Sequence, residues 1–174
     1  MGQIIEHESG LDAIQIGGES FVLACLPTPT NVRQAFRHYQ ELDLPRMAVE
    51  PISRREFLDD RFLLNQRSHG SCVGFSSAGA LMDCRALAGY TFQRLSGAYT
   101  YSFINGGRDR GASIGESLDS LSKNGTCLES TVGWDEIYRN ATKKGDAEAQ
   151  RFKIEEGYRI DSFDDALDAI SKGF

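Results

Sequence analysis

The pattern of apolar and polar positions predicts a strand and four helices along this chain. Phe21-Val22-Leu23-Ala24-Cys25-Leu26 is the longest strictly apolar run. It reads as a short strand stopped by Pro27 and Pro29, which cannot donate to a ladder. Val32, Ala35, Phe36 and Tyr39 then recur at helical spacing behind Asn31 and Gln34, so an amphipathic helix is expected over 31–42. Pro45 and Pro51 bracket an extended connection. A second helix is expected to start at or just before Cys72, because Phe75, Ala78, Gly79, Met82 and Ala86 share one face, with Gly89 as its stop. Ser113 and Glu116 have capping-box spacing for a third helix with Ile114, Ser117, Leu118 and Leu121 on one face, ended by Asn124-Gly125. A fourth runs from a Ser162 cap through Phe163, Ala166, Leu167 and Ile170 to Gly173. Between them Lys143-Lys144-Gly145-Asp146 reads as a solvated turn or linker. The last residue, Phe174, follows a helix-terminating glycine directly, so the fold is expected to continue beyond it.

At 174 residues and 40% apolar composition the chain is long enough to bury a core of its own. Charge narrows the partners: 25 acidic against 19 basic residues leave a net −6. Without clustered Lys and Arg, no nucleic-acid partner is expected, and no anionic membrane surface. The six-residue apolar run is far short of the ~20 residues that span a bilayer. No basic region followed by an apolar stretch opens the sequence, so no secretory signal is read there. A cytoplasmic location is expected, or host cytoplasm or virion for a viral chain. Cys25, Cys72, Cys84 and Cys127 form no C-x-x-C pair, and His7, His38 and His69 stand at no ligand-like spacing from them. No metal and no cofactor are expected. Gly106-Gly107 lacks the Lys-Ser/Thr ending of a phosphate loop.

The chemistry concentrates in Asn65-Gln66-Arg67-Ser68-His69-Gly70-Ser71-Cys72-Val73-Gly74-Phe75-Ser76. This polar, glycine-containing loop delivers a cysteine to the first turn of an apolar-faced helix. The partial positive charge at a helix N-terminus favours the thiolate, lowers the thiol pKa and readies the sulfur for nucleophilic attack. Cys25, Cys84 and Cys127 have no such surroundings and are expected to be core or incidental residues.

The segment resembles the active-site loop of the papain-like cysteine proteases: a Gln, then Gly-Ser-Cys opening a helix, with Gly74 and Phe75 following. The resemblance covers roughly residues 48–174. It implies an α+β papain-like fold, with a helical subdomain around the nucleophile helix and a β-rich subdomain of which only the approach is present. It further implies Cys72 as nucleophile, and Gln66 as side-chain donor to the oxyanion hole beside the Cys72 amide. It implies substrate binding by Gly70 and Ser71 of the same loop and by Gly111 and Ala112, since Gly111-Ala112-Ser113 resembles the wall whose backbone bonds an extended substrate. Leu95-Ser96 with Tyr101, and Gly133-Trp134, also fall where the family has corresponding features. The partner implied is a peptide or protein substrate, cleaved through an acyl-enzyme; a transferase differs only in what attacks that intermediate.

The departures are specific. Val73 replaces a tryptophan, Ala112 a glycine, and His69 stands where secreted members carry a paired cysteine, which fits a cytosolic, bacterial or viral version of the fold. In the family the catalytic His follows the cysteine by ~130–150 residues, whereas none of the 102 residues after Cys72 is His. The base is therefore expected from further sequence or from a complementary chain. His69 is expected to be a surface or packing residue, and His38 to lie on the surface of the 31–42 helix. Asp109 or Arg110, in a charged loop bordering the wall, is a candidate for biasing subsite preference. Residues 1–47 read as an N-terminal extension, either a permanent part of the fold or an inhibitory prosegment. The alternative for the whole chain is an inactive papain-like scaffold or binding module.

Overall fold

A computed structural model describes residues 3–6, 12–16, 19–22, 25–26, 28–42 and 63–172. The expectations for His7, for the 45–51 connection and for Gly173 lie outside these residues. At the centre is α2 (Cys72–Leu87), crossed by α3 (Gly97–Ser102) and flanked by α4 (Ile114–Lys123). Two glycines allow that crossing. A Cβ on Gly74 would lie 2.5 Å from the Gly97 carbonyl oxygen and 2.8 Å from the Tyr101 Cβ, and one on Gly97 would lie 2.5 Å from the Phe75 Cα. The backbones therefore approach more closely than any side chain permits. Val73, Phe75, Tyr99, Tyr101, Val132 and Ile137 close one core cluster, while Ala78, Met82, Leu95 and Phe152 form a second along the same helix.

Local chemistry sets the helix ends. Beyond α2, Gly89 is left-handed at φ 79°. Its N–H donates to the Ala86 carbonyl and the Tyr90 N–H to the Arg85 carbonyl, each at 3.0 Å, closing a Schellman motif. Ser96 caps α3 by accepting the Tyr99 N–H at 3.1 Å. Ser113 and Glu116 make the expected capping box of α4, and Gly125 at φ 74° ends it. Its buried face is rotated from expectation: Gly115, Ser117, Ser120 and Leu121 point inward, and Ile114 is exposed. Shorter pieces follow, α5 (Arg139–Thr142), a 3₁₀ turn (Lys143–Gly145) and α6 (Asp146–Ala149). Lys143 and Lys144 are exposed on the turn the sequence allows, but it is no loose linker, because Gly145 is buried where a Cβ would meet the Cys127 sulfur at 2.7 Å and the Tyr99 ring at 3.0 Å.

The N-terminal segment departs most from the sequence reading. β1 (Gln3–Glu6), β2 (Asp12–Ile16) and β3 (Glu19–Val22) form an antiparallel sheet in that order. The single strand expected over 21–26 is divided between β3 and β4 (Cys25–Leu26), and β4 pairs in parallel with β6 (Ala112–Ser113). The helix expected over 31–42 is also divided. α1 (Thr30–Ala35) has Pro29 at its N-cap, without the Asn31 cap, and ends at an extended Phe36. β5 (Arg37–His38) follows, then a 3₁₀ turn (Tyr39–Leu42). The cause is tertiary: β5 pairs in parallel with β7 (Tyr158–Arg159), a partner that no local pattern announces. His38 is thus a strand residue, its Nδ1 3.1 Å from Asp161.

The last helix, α7 (Phe163–Ser171), has the Ser162 cap that the sequence predicts, but it buries the opposite face. Asp165, Asp168 and Ala169 are inside; Phe163 is 76% exposed and Ile170 49%. The acids face inward because the N-terminal segment supplies donors: Tyr39 Oη donates to Asp168 at 3.0 Å and Gln40 Nε2 to Asp165 at 2.9 Å, with Lys172 Nζ on Asp168 at 2.6 Å. Among the described residues no helix is long and apolar enough to cross a membrane.

Candidate active site

The loop before α2 is organised from within. Arg67 takes a left-handed conformation at φ 54° and donates its N–H to the Asn65 side chain at 2.8 Å. Gln66 folds back over the turn, Nε2 donating to the His69 carbonyl at 2.9 Å. That bond uses one of its two amide hydrogens and leaves the other for a further acceptor. Gly70 and Ser71 are buried, and Cys72, the first residue of α2, is half-buried. The Cys72 thiol therefore sits where the unbonded N–H groups of a 16-residue helix concentrate positive potential. Ser71 occupies the N-cap without a side-chain cap bond, and its buried Oγ has no partner.

A second loop, 105–111, faces the first. Gly111, at φ 81°, leads into β6 and then α4, so Ala112 and Ser113 of the expected wall form a short buried edge. The Gly111 N–H donates to Tyr101 Oη, and Tyr101 Oη donates to Asp109 Oδ1, each at 2.9 Å. The Gly70 N–H donates to the same Asp109 oxygen at 2.9 Å. Asp109 Oδ2 lies 3.5 Å from His69 Nδ1. Burial, reinforced by the Asp109 charge, pushes the Tyr101 phenol well above its usual range, so it remains a hydroxyl donor.

His69 sits as the sequence suggested, as a packing residue. Its ring lies 5.7 Å from that of Trp134, which the Arg67 guanidinium covers on a 4.3 Å approach. Asp109 and Arg110 are not equivalent. Asp109 turns inward to the cysteine loop, while Arg110 is exposed and its Nε donates back to the Asn105 carbonyl at 3.2 Å. Sequence reading missed the role of Asp109 because a charge run between glycines usually faces solvent. The local signal it left was an acid two residues before the glycine of the wall.

The cysteines separate by environment. Cys84 is exposed near the end of α2, and Cys127 is fully buried. Burial, with the nearby Glu148 charge, pushes the Cys127 thiol up to about 12. Among the described residues no group of three or more His, Cys, Asp or Glu side chains is placed to hold a metal ion.

No family model matches this chain. No curated protein matches it either. Among solved structures it is similar to xylellain, a cysteine protease from Xylella fastidiosa, at 19% identity and a TM-score of 0.57, over 86% of this chain and 59% of that one. It is also similar to digestive procathepsin L 3 of Tenebrio molitor larval midgut, at 16% identity and a TM-score of 0.56, over 77% of this chain and 46% of that one. The chain thus spans about half of the length of each protein it resembles. Its fold is that of the papain-like cysteine proteases.

Proposed function

We propose that this chain is the cysteine-bearing part of a papain-like thiol peptidase. The observation that carries the reading is the placement of Cys72 at the first turn of α2, at the end of a loop in which Gln66 keeps an amide hydrogen to give. In this reading the Cys72 sulfur attacks a peptide carbonyl, and the Cys72 N–H with Gln66 Nε2 bonds the oxyanion. The amine leaves and water releases the acyl group. The general base that takes the Cys72 thiol proton and, once protonated, returns it to the leaving amine is assigned in this reading to further sequence or to a complementary chain, since none of the 102 residues after Cys72 is His. The substrate is an extended peptide whose backbone bonds the Gly111-Ala112 edge, with Gly70 and Ser71 shaping the approach to the sulfur.

In the same reading, residues 1–47 act as a prosegment-like cover. β4 takes the Ala112–Ser113 edge, and Thr28 Oγ1 accepts the Gly115 N–H at 3.2 Å, so the edge offered to substrate is occupied from within the chain.

Competitive alkylation tests the reading. In the folded protein Cys72 should react with iodoacetamide at pH 6–7 faster than Cys84, although Cys84 is more exposed, and Cys127 should stay unmodified because its thiol does not ionise there. Peptide mapping by mass spectrometry reads all three. Equal rates at Cys72 and Cys84 would overturn the activated-thiolate reading and leave a papain-like scaffold in its place.

A further inference from the structure

Two hydrogen bonds meet at one acid and a third reaches it through Tyr101, joining two loops that are far apart in sequence. The Gly70 N–H and the Tyr101 hydroxyl both donate to Asp109 Oδ1, and the Gly111 N–H donates to the Tyr101 oxygen, all at 2.9 Å. Gly70 lies two residues before Cys72, and Gly111 immediately precedes Ala112–Ser113. The network therefore fixes the approach to the candidate nucleophile against the approach to the candidate substrate edge.

The cysteine loop also touches its surroundings through rings and charge: His69 and Arg67 meet the Trp134 ring, and His69 Nδ1 lies 3.5 Å from Asp109 Oδ2. Its N-cap Ser71 makes no capping bond and its Oγ is unpartnered, while Gln66 bonds within the loop itself. The Gly70 amide is buried, and without Asp109 it would lose a charge-assisted bond. Tyr101 is fully buried on α3, so the far end of the network is anchored in the core rather than in a loop.

We propose that Asp109 is a positioning residue which, through Tyr101, sets the seat of Cys72 relative to the Ala112–Ser113 edge. The catalytic consequence rests on the reading of Cys72 as nucleophile; the tether does not. In a working site this coupling keeps the sulfur at attack distance from a carbonyl held on the edge, where displacements of an ångström cost large factors in rate.

The test uses the full chain and the variants Asp109→Ala, Asp109→Asn and Tyr101→Phe, with amide hydrogen exchange and the Cys72 to Cys84 iodoacetamide rate ratio as readouts. For Asp109→Ala, exchange over 66–72 and 109–113 should rise about tenfold, the scale of one lost hydrogen bond to a charged group, while residues 77–87 of α2 keep their protection. The alkylation ratio should fall together with it. Asp109→Asn keeps an acceptor for Gly70 and Tyr101 and should restore both readouts to within about twofold. Unchanged exchange in the two loops, or a rise spread equally over 77–87, would overturn the proposal. Should Asp109→Ala not fold, Tyr101→Phe deletes a single hydroxyl and decides the matter: faster exchange in both loops supports the tether, and no change refutes it. If Cys72 in the unaltered protein reacts no faster than Cys84, the nucleophile reading falls, and the exchange data still judge the tether by themselves.

Discussion

The helical unit around α2 and the N-terminal segment that lies against it are held by different physics. In the first, Tyr99, Tyr101, Met82, Leu95 and Phe152 are at most 2% exposed and two helices cross on glycine backbones. In the second, the described residues attach through two-residue ladders and partly exposed polar pairs: Arg33 to Asp161 at 2.6 Å, Gln40 to Asp165, and Tyr39, the segment's one buried anchor among the described residues, to Asp168. Dense apolar burial gives cooperative stability, whereas sparse polar attachment gives local opening well below the global unfolding free energy. The cover proposed for this segment requires that contrast, since a cover must move while the cleft beneath keeps its shape.

The sharpest way to break the comparison is to strain the helical unit. Gly74→Ala places a methyl 2.5 Å from the Gly97 oxygen. It should destabilise the protein by about 1–3 kcal/mol, lowering the thermal midpoint by several degrees as the whole chain unfolds earlier. A midpoint unchanged by this substitution would show that the α2–α3 crossing is looser than described. Smaller and local is Tyr39→Phe, which removes one hydrogen bond to the buried Asp168 that Lys172 also neutralises. About 1 kcal/mol should be lost from segment docking, seen as faster proteolysis near residues 30–42 with little change in the thermal midpoint. A midpoint loss as large as that of Gly74→Ala would merge the two regions into one cooperative unit.

The smallest effect belongs to the surface cluster. Arg33, first, and then Arg159 and His38 hold the Asp161 carboxyl below its ordinary value of 3.8. A carboxylate depressed in this way contributes stability above its unfolded pKa and loses it as pH falls through the folded value. Segment docking should therefore weaken only below about pH 4 from this group, and Arg33→Ala should change docking little at pH 7, because both partners are largely solvated. Docking that weakens already at pH 6 would show that a group other than Asp161 governs it.

What the sequence made legible was governed by local rules. The α2 start at Cys72, the Ser113/Glu116 capping box, the Gly125 stop and the Ser162 cap each depend on residues within a few positions of one another. Illegible were features decided at long range. Arg37 and His38 lie inside a helical apolar stripe, yet pairing with Tyr158 and Arg159 draws them into a strand. Asp165 and Asp168 read as the outer face of α7 until Tyr39 and Gln40 supply their donors. The site divides the same way: the Gln66 to Cys72 loop is contiguous and stood out, whereas Asp109 gains its meaning from Gly70, 39 residues away.

The ladder between β4 and β6 spans two residues, and Pro27 directly after it has no amide with which to extend the pairing. Such a contact would be negligible between separate molecules. Here strand and edge belong to one chain, and such tethering gives the strand an effective local concentration on the order of millimolar. Under the proposed function, a diffusing peptide must outcompete that presence to reach the edge. A cut anywhere between the strand and the helical unit would turn the same weak ladder into an ordinary bimolecular contact, with no change in any residue that forms it.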